Sequence, residues 1–71
     1  MDNDLLAQRV RAFRKLKGYT QLELADELSI SVAVLGSLER GTRKHDVRLL
    51  KSIANKLNIS YDELVSIREE Q

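Results

Sequence analysis

The stretch Thr20 to Gly41, T-Q-L-E-L-A-D-E-L-S-I-S-V-A-V-L-G-S-L-E-R-G, constrains this chain more than any other segment. Leu24, Ala25 and Leu28 recur at helical spacing, and so do Leu35 and Leu38, with only Ser29-Ile30-Ser31 between the two sets. Two short amphipathic helices joined so tightly form a helix-turn-helix unit. The ends are marked as well. Thr20 with Glu23 makes a capping box, the Ser31 hydroxyl is placed to cap the second helix, and Gly41 stops it. Ile30 is expected to point into the core between the two helices. Ser29 sits where the turn asks for a backbone conformation that glycine adopts most easily, so mild strain is expected there.

The flanking segments read as helices too. Leu6, Val10, Phe13 and Leu16 form an apolar stripe before Gly18, with Arg9, Arg11, Lys15 and Lys17 expected to point away from it. Thr42-Arg43-Lys44-His45 reads as a loop. Asp46 caps a helix that buries Leu49, Leu50, Ile53, Ala54 and Leu57 and ends near Asn58. Ser60 with Glu63 opens a last one carrying Tyr61, Leu64, Val65 and Ile67. No segment alternates with period two long enough for a strand, and no internal repeat is present. The expectation is an all-α chain, one domain over 1–71, with helices at about 4–17, 21–28, 32–40, 47–57 and 61–69.

At 71 residues, such a domain buries only about 60% of its unfolded surface, so its core must be compact. The chain has no cysteine, which leaves neither disulfides nor a zinc cluster to staple it, and no pattern calls for a cofactor. The first residues carry no secretory leader and no apolar run long enough to span a bilayer, so the expectation is a cytoplasmic protein with no membrane contact. A separate sensor domain is not expected within these 71 residues. Net charge is +1 and the pI about 8.1, below the strongly basic level of an all-round nucleic-acid binder. Local charge is more telling. Arg9, Arg11, Arg14, Lys15 and Lys17 load the first segment and Arg40, Arg43, Lys44, Arg48 and Lys51 the middle, giving a basic side opposed by acidic ones.

In a helix-turn-helix that binds DNA, the second helix lies in the major groove, so its outward face decides what is read. With Leu35 and Leu38 inward, that face is expected to be Val32, Ala33, Gly36, Ser37 and Arg40. It lacks the Asn or Gln that pair bidentately with adenine. Val32 and Ala33 suit thymine methyl groups, and Ser37 suits a base edge or a phosphate. The alternative for so small a face is close packing on another helix, and a close approach of either kind would rationalise Gly36. Phosphate contacts are expected from Thr20 and Gln21, at the positive end of their helix, from Ser31, and from Arg40, Arg43 and Lys44. Arg14 and Glu39 are expected to meet as an ion pair fixing helix orientation rather than as ligands.

The segments R-V-R-A-F-R-K-L-K-G-Y-T-Q-L-E-L-A, S-I-S-V-A-V-L-G-S-L-E-R-G and L-L-K-S-I-A-N-K-L-N-I-S-Y-D-E-L together resemble the phage-repressor type of helix-turn-helix proteins, the Cro and lambda-repressor-like (Xre) family. The likeness runs from about Leu6 to Val65. It implies a compact five-helix transcriptional regulator, often dimeric on palindromic DNA. It also implies a phosphate contact at Gln21, base reading at Val32, Ala33 and Ser37, and a structural salt bridge between Arg14 and Glu39. Two departures stand out. The family often has a long polar residue where this chain has Val32, and glycine where it has Ser29.

The leading expectation is therefore a DNA-binding regulator, a repressor, whose affinity comes mainly from phosphates. Its partners would be double-stranded DNA and a second copy of the chain, with Val65 and Ile67 as candidate dimer contacts, or a protein such as an antirepressor. The competing expectation is a helix-turn-helix fold used for protein binding, with the small face of the third helix docking a partner. Catalysis is the weakest reading. The sole histidine, His45, lies in a basic loop, no thiol nucleophile exists, and Glu23, Asp26 and Glu27 read as a solvated helix face.

Overall fold

The computed structural model describes residues 3–66 as five helices, α1 (Asn3–Leu16), α2 (Gln21–Leu28), α3 (Val32–Arg40), α4 (Val47–Lys56) and α5 (Tyr61–Val65). Each of the last four begins at a side chain that accepts from a backbone N–H of the first turn. Thr20, Ser31 and Ser60 accept from Glu23, Val34 and Glu63, and Asp46 accepts from Arg48. The capping box of α2 is complete in both directions. The helices close around one core of Leu6, Val10, Leu24, Ala25, Leu35, Leu38, Leu50, Ile53, Ala54, Leu57 and Leu64. α1 packs on α3 and α5, α2 on α3 and α4, and α4 on α5. α3 is thus wedged between α1 and α2, which leaves its remaining side open.

The last helix is shorter than its sequence pattern suggests. α5 ends at Val65, with Ser66 extended, and residues 67–69 of the expected helix lie outside the described residues. Arg9 meets this end of α5. Its guanidinium donates to the carbonyls of Leu64, at 2.7 Å, and of Glu63, groups that a continuing helix would have satisfied itself. Arg9 also lies over the Phe13 ring. It therefore does not point away from the packed face of α1, as expected, but ties α1 to α5. Leu16 departs in the opposite sense and is 74% exposed. Periodicity marks a helix face, but burial also needs a partner opposite, and in the last turn of α1 Phe13 and Arg14 pack inward while Leu16 stays on the open side.

The loop between α3 and α4 is held by the start of α1. The Asn3 amide nitrogen donates to the carbonyls of Gly41 and Arg43, at 3.0 and 3.1 Å, and its oxygen lies 2.8 Å from His45 Nδ1. Because the amide hydrogens are spent on carbonyls, the imidazole must donate through Nδ1. Its Nε2 is left as a buried acceptor without a hydrogen-bond partner among the described residues. Burial lowers the His45 pKa from the ordinary value of 6.5.

Gly41 and Gly18 both adopt positive φ, 76° and 84°, but only Gly41 is crowded, since a Cβ there would lie 2.5 Å from the Asp4 carboxylate. Gly18→Ala is expected to cost about 1 kcal/mol from backbone strain alone. Gly41→Ala should cost clearly more, because Asp4 must also move, and urea unfolding of the two variants makes the comparison. A second expectation concerns pH. The unfolded chain binds a proton at His45 more readily than the folded one, so stability from this group is complete above about pH 6.5. It declines as pH falls below that value toward the lowered folded pKa. The unfolding midpoint should therefore drop between about pH 7 and 5.5, by less in His45→Asn, as followed by circular dichroism.

Candidate nucleic-acid interface

The corner between α2 and α3 has the geometry that a helix-turn-helix needs. Ser29 sits in the left-handed region at φ 58° and ψ 39°, with its N–H bonded back to Asp26 O and that of Ile30 to Ala25 O. Those two bonds close off α2, and the chain leaves in the extended conformation of Ser31. A serine in this conformation carries roughly 1–2 kcal/mol of strain relative to glycine. Ile30 packs against the core just beneath the turn and helps to hold it.

The relative placement of α1, α2 and α3 rests on one polar cluster. Arg14 Nε and Nη2 donate to the two Glu39 carboxylate oxygens at 2.6 and 3.1 Å, and Nη1 donates to Tyr19 O at 2.7 Å. Gln21 Nε2 donates to Glu39 Oε1 at 3.0 Å. Arg14 and Glu39 are only 7% and 8% exposed, and no other charged residue among those described is so buried. One carboxylate thus receives donors from α1 and from the first residue of α2. Gln21 is held against α3 by this contact.

The outer face of α3 differs from the expected one at Gly36. Val32, Ala33 and Arg40 are exposed and Ser37 is half-buried, but Gly36 is buried. Arg40 folds back along α3, and a Cβ on Gly36 would sit 3.1 Å from its Nη1 and 3.9 Å from Gln21 Oε1. The missing side chain makes room for a guanidinium lying flat over the helix. Ser37 also has commitments, since its hydroxyl donates to Ala33 O at 3.0 Å and lies 3.4 Å from Arg40 Nη2.

Charge gathers around this face. Arg11, Arg14, Thr20, Gln21, Glu39 and Arg40 line an open groove of about 580 Å³ between α1, the start of α2 and the end of α3. Arg11 is the residue that sequence reasoning leaves out of the interface, although it lies one helical turn before Arg14 and so on the same side of α1. Arg43 and Lys44 are exposed in the following loop. The Ser31 and Thr20 hydroxyls, although exposed, are engaged in capping. Of the candidate dimer contacts, Val65 is half-buried against the core and Ile67 lies outside the described residues. No helix among the described residues is long and apolar enough to cross a membrane.

Glu39→Ala strands the Arg14 guanidinium in a dry site, and the expected loss is about 3–5 kcal/mol. Replacing both partners by apolar residues, Arg14→Met with Glu39→Leu, should recover most of it. Urea unfolding of the single and double variants decides this. A double variant as unstable as the single would show that packing and not the stranded charge sets the loss.

Comparison with known proteins agrees with this geometry. A helix-turn-helix family model matches residues 10–64. YazB of Bacillus subtilis, described as an uncharacterized HTH-type transcriptional regulator, is 50% identical over 64 residues, covering 90% of this chain and 93% of its own length. The chain spans only 60% of SinR of Bacillus subtilis, a transcriptional regulator with 28% identity, and 49% of the immunity repressor of Bacillus phage phi105. Among solved structures, the restriction-modification controller protein C.AhdI from Aeromonas hydrophila superposes with a TM-score of 0.84 at 32% identity, over 89% of this chain and 96% of that one. SinR in complex with DNA superposes at 0.78 and 30% identity, over 84% and 97%. A complex of SinR with the protein SinI gives the same score and identity, over 84% and 59%. With the buried Arg14–Glu39 pair, the capped Thr20 corner and the open face of α3 all lying inside the matched span, the chain belongs to the helix-turn-helix family of phage-repressor-like transcriptional regulators.

Proposed function

We propose that this chain binds double-stranded DNA as a transcriptional repressor, with α3 in the major groove and phosphates gripped on both sides of it. The observation that carries the reading is the open groove where Arg11, Thr20, Gln21 and Arg40 meet beside the exposed Val32 and Ala33. α2 presents its positive end there, and backbone N–H groups at such an end suit a phosphate. Gln21, Arg40, Arg43 and Lys44 serve as the main phosphate contacts, with Thr20 and Ser31 adding theirs, since each hydroxyl accepts in capping and keeps its own hydrogen to donate. Val32 and Ala33 meet thymine methyl groups, and Ser37 can accept at a base edge as it stands but donates there only by giving up its bond to Ala33 O.

The relative SinR has been solved with DNA and with the protein SinI, which supports DNA as the ligand here and a protein antagonist as a further partner. A homodimer is the natural form on palindromic DNA, with the two reading helices about 34 Å apart. Action on DNA goes with a cytoplasmic protein.

The test is selection of duplexes from a random library, followed by affinity measurement for a selected and an unselected duplex at two salt concentrations. We expect a specificity ratio of at least about 10³ and a log-log salt slope of about −0.9 per phosphate contacted. Arg43→Ala with Lys44→Ala should weaken both duplexes alike. Gly36→Ser, which pushes Arg40 and its phosphate contact off the helix face, should also weaken both. Equal affinity for the two duplexes would remove the regulator reading.

A further inference from the structure

We propose that Asn3 is a positioning residue for DNA binding: it holds the α3–α4 loop in the shape that sets Arg43 and Lys44 against phosphates. The inference rests on the DNA-binding reading and deepens it. The loop is pinned at its entrance, where the Thr42 N–H and hydroxyl both bond Ser37 O, and at its exit, where Asp46 caps α4. Between those anchors, the described hydrogen bonds of residues 43–45 all go to Asn3. One side chain, 38 to 42 residues distant in sequence, takes the carbonyls of Gly41 and Arg43 and the His45 ring together.

The fit is specific in its chemistry. Two carbonyls need two donors and the imidazole N–H needs an acceptor, a set that an amide side chain supplies and a carboxylate does not. The backbone closes in alongside, since a Cβ on Gly41 would lie 2.5 Å from the Asp4 carboxylate of α1. The loop is therefore ordered before DNA arrives, and the loss of chain entropy that would otherwise oppose each phosphate contact has already been met in folding. Asn3 reaches no ligand itself. It acts through the backbone that carries the cations.

The experiment compares wild type, Asn3→Ala, Arg43→Ala with Lys44→Ala, and the triple variant on a duplex selected from a random library, across a salt series. Asn3→Ala is expected to weaken binding by about tenfold and to lower the salt slope by close to 0.9 for each phosphate no longer neutralised. Added to the double variant, it should change neither affinity nor slope, because the cations it positions are gone. Losses that add in the triple variant, or an unchanged slope in Asn3→Ala, would overturn the proposal. Amide hydrogen exchange without DNA is the companion readout. Asn3→Ala should speed exchange at residues 43–45 while α2 and α3 keep their protection, and unaltered exchange in the loop would also overturn it. If wild type fails to bind any duplex, the DNA reading has failed, and the exchange data still decide whether Asn3 orders the loop.

Discussion

Glu39 accepts from the Arg14 guanidinium on α1 and from the Gln21 amide on α2 while standing on α3 itself, so one carboxylate sets the mutual position of the three elements that surround the proposed DNA site. A pair this buried gains little net stability, since desolvation offsets most of the attraction. Its value is geometric. Hydrophobic contacts among Leu24, Leu35 and Leu38 tolerate small slides of one helix on another, whereas a bidentate pair with a third donor accepts one arrangement. The same contact holds Gln21 at the start of α2, so the fold and the proposed interface share a residue.

Glycine makes the complementary contribution. Gly41 ends α3 in a left-handed turn and lets the backbone lie against α1, which brings the loop carbonyls within the reach of Asn3. Gly36 leaves the surface of α3 low, and Arg40 occupies the space. In both places a side chain is absent so that a cation can be placed. The proposed recognition face is consequently small at its N-terminal end, with Val32 and Ala33, and cationic at its C-terminal end.

Much of this is legible from residues alone. The corner from Thr20 to Gly41 can be read because its signals are local: a capping hydroxyl, a glutamate three residues on, a terminal glycine. α4 is equally clear from the spacing of Leu50, Ile53, Ala54 and Leu57. Where sequence and structure part, the missing information is long-range. Leu16 has the right phase but no partner. Arg9 reads as solvated because nothing in its neighbourhood announces the carbonyls of α5, some 55 residues away. Helical phase puts Gly36 on the open face, and the folded-back Arg40 that covers it is a side-chain conformation on which periodicity is silent.

The sequence by itself determined the five helices, the ends of α2 and α3 and most of the core that joins them, because capping and apolar spacing act within a few residues and depend little on what lies opposite. Tertiary structure decided the roles that the sequence left open or misplaced. Arg9 became a tie to α5, and Arg11 came to line the groove with Arg40, while the pairing of Arg14 with Glu39 follows its sequence expectation. It also decided that Asn3, unremarkable in its own neighbourhood, lies against residues 41–45. The physical reason is the same in each case: a charge or an amide is assigned its role by the groups packed around it, and folding brings those groups from distant parts of the chain.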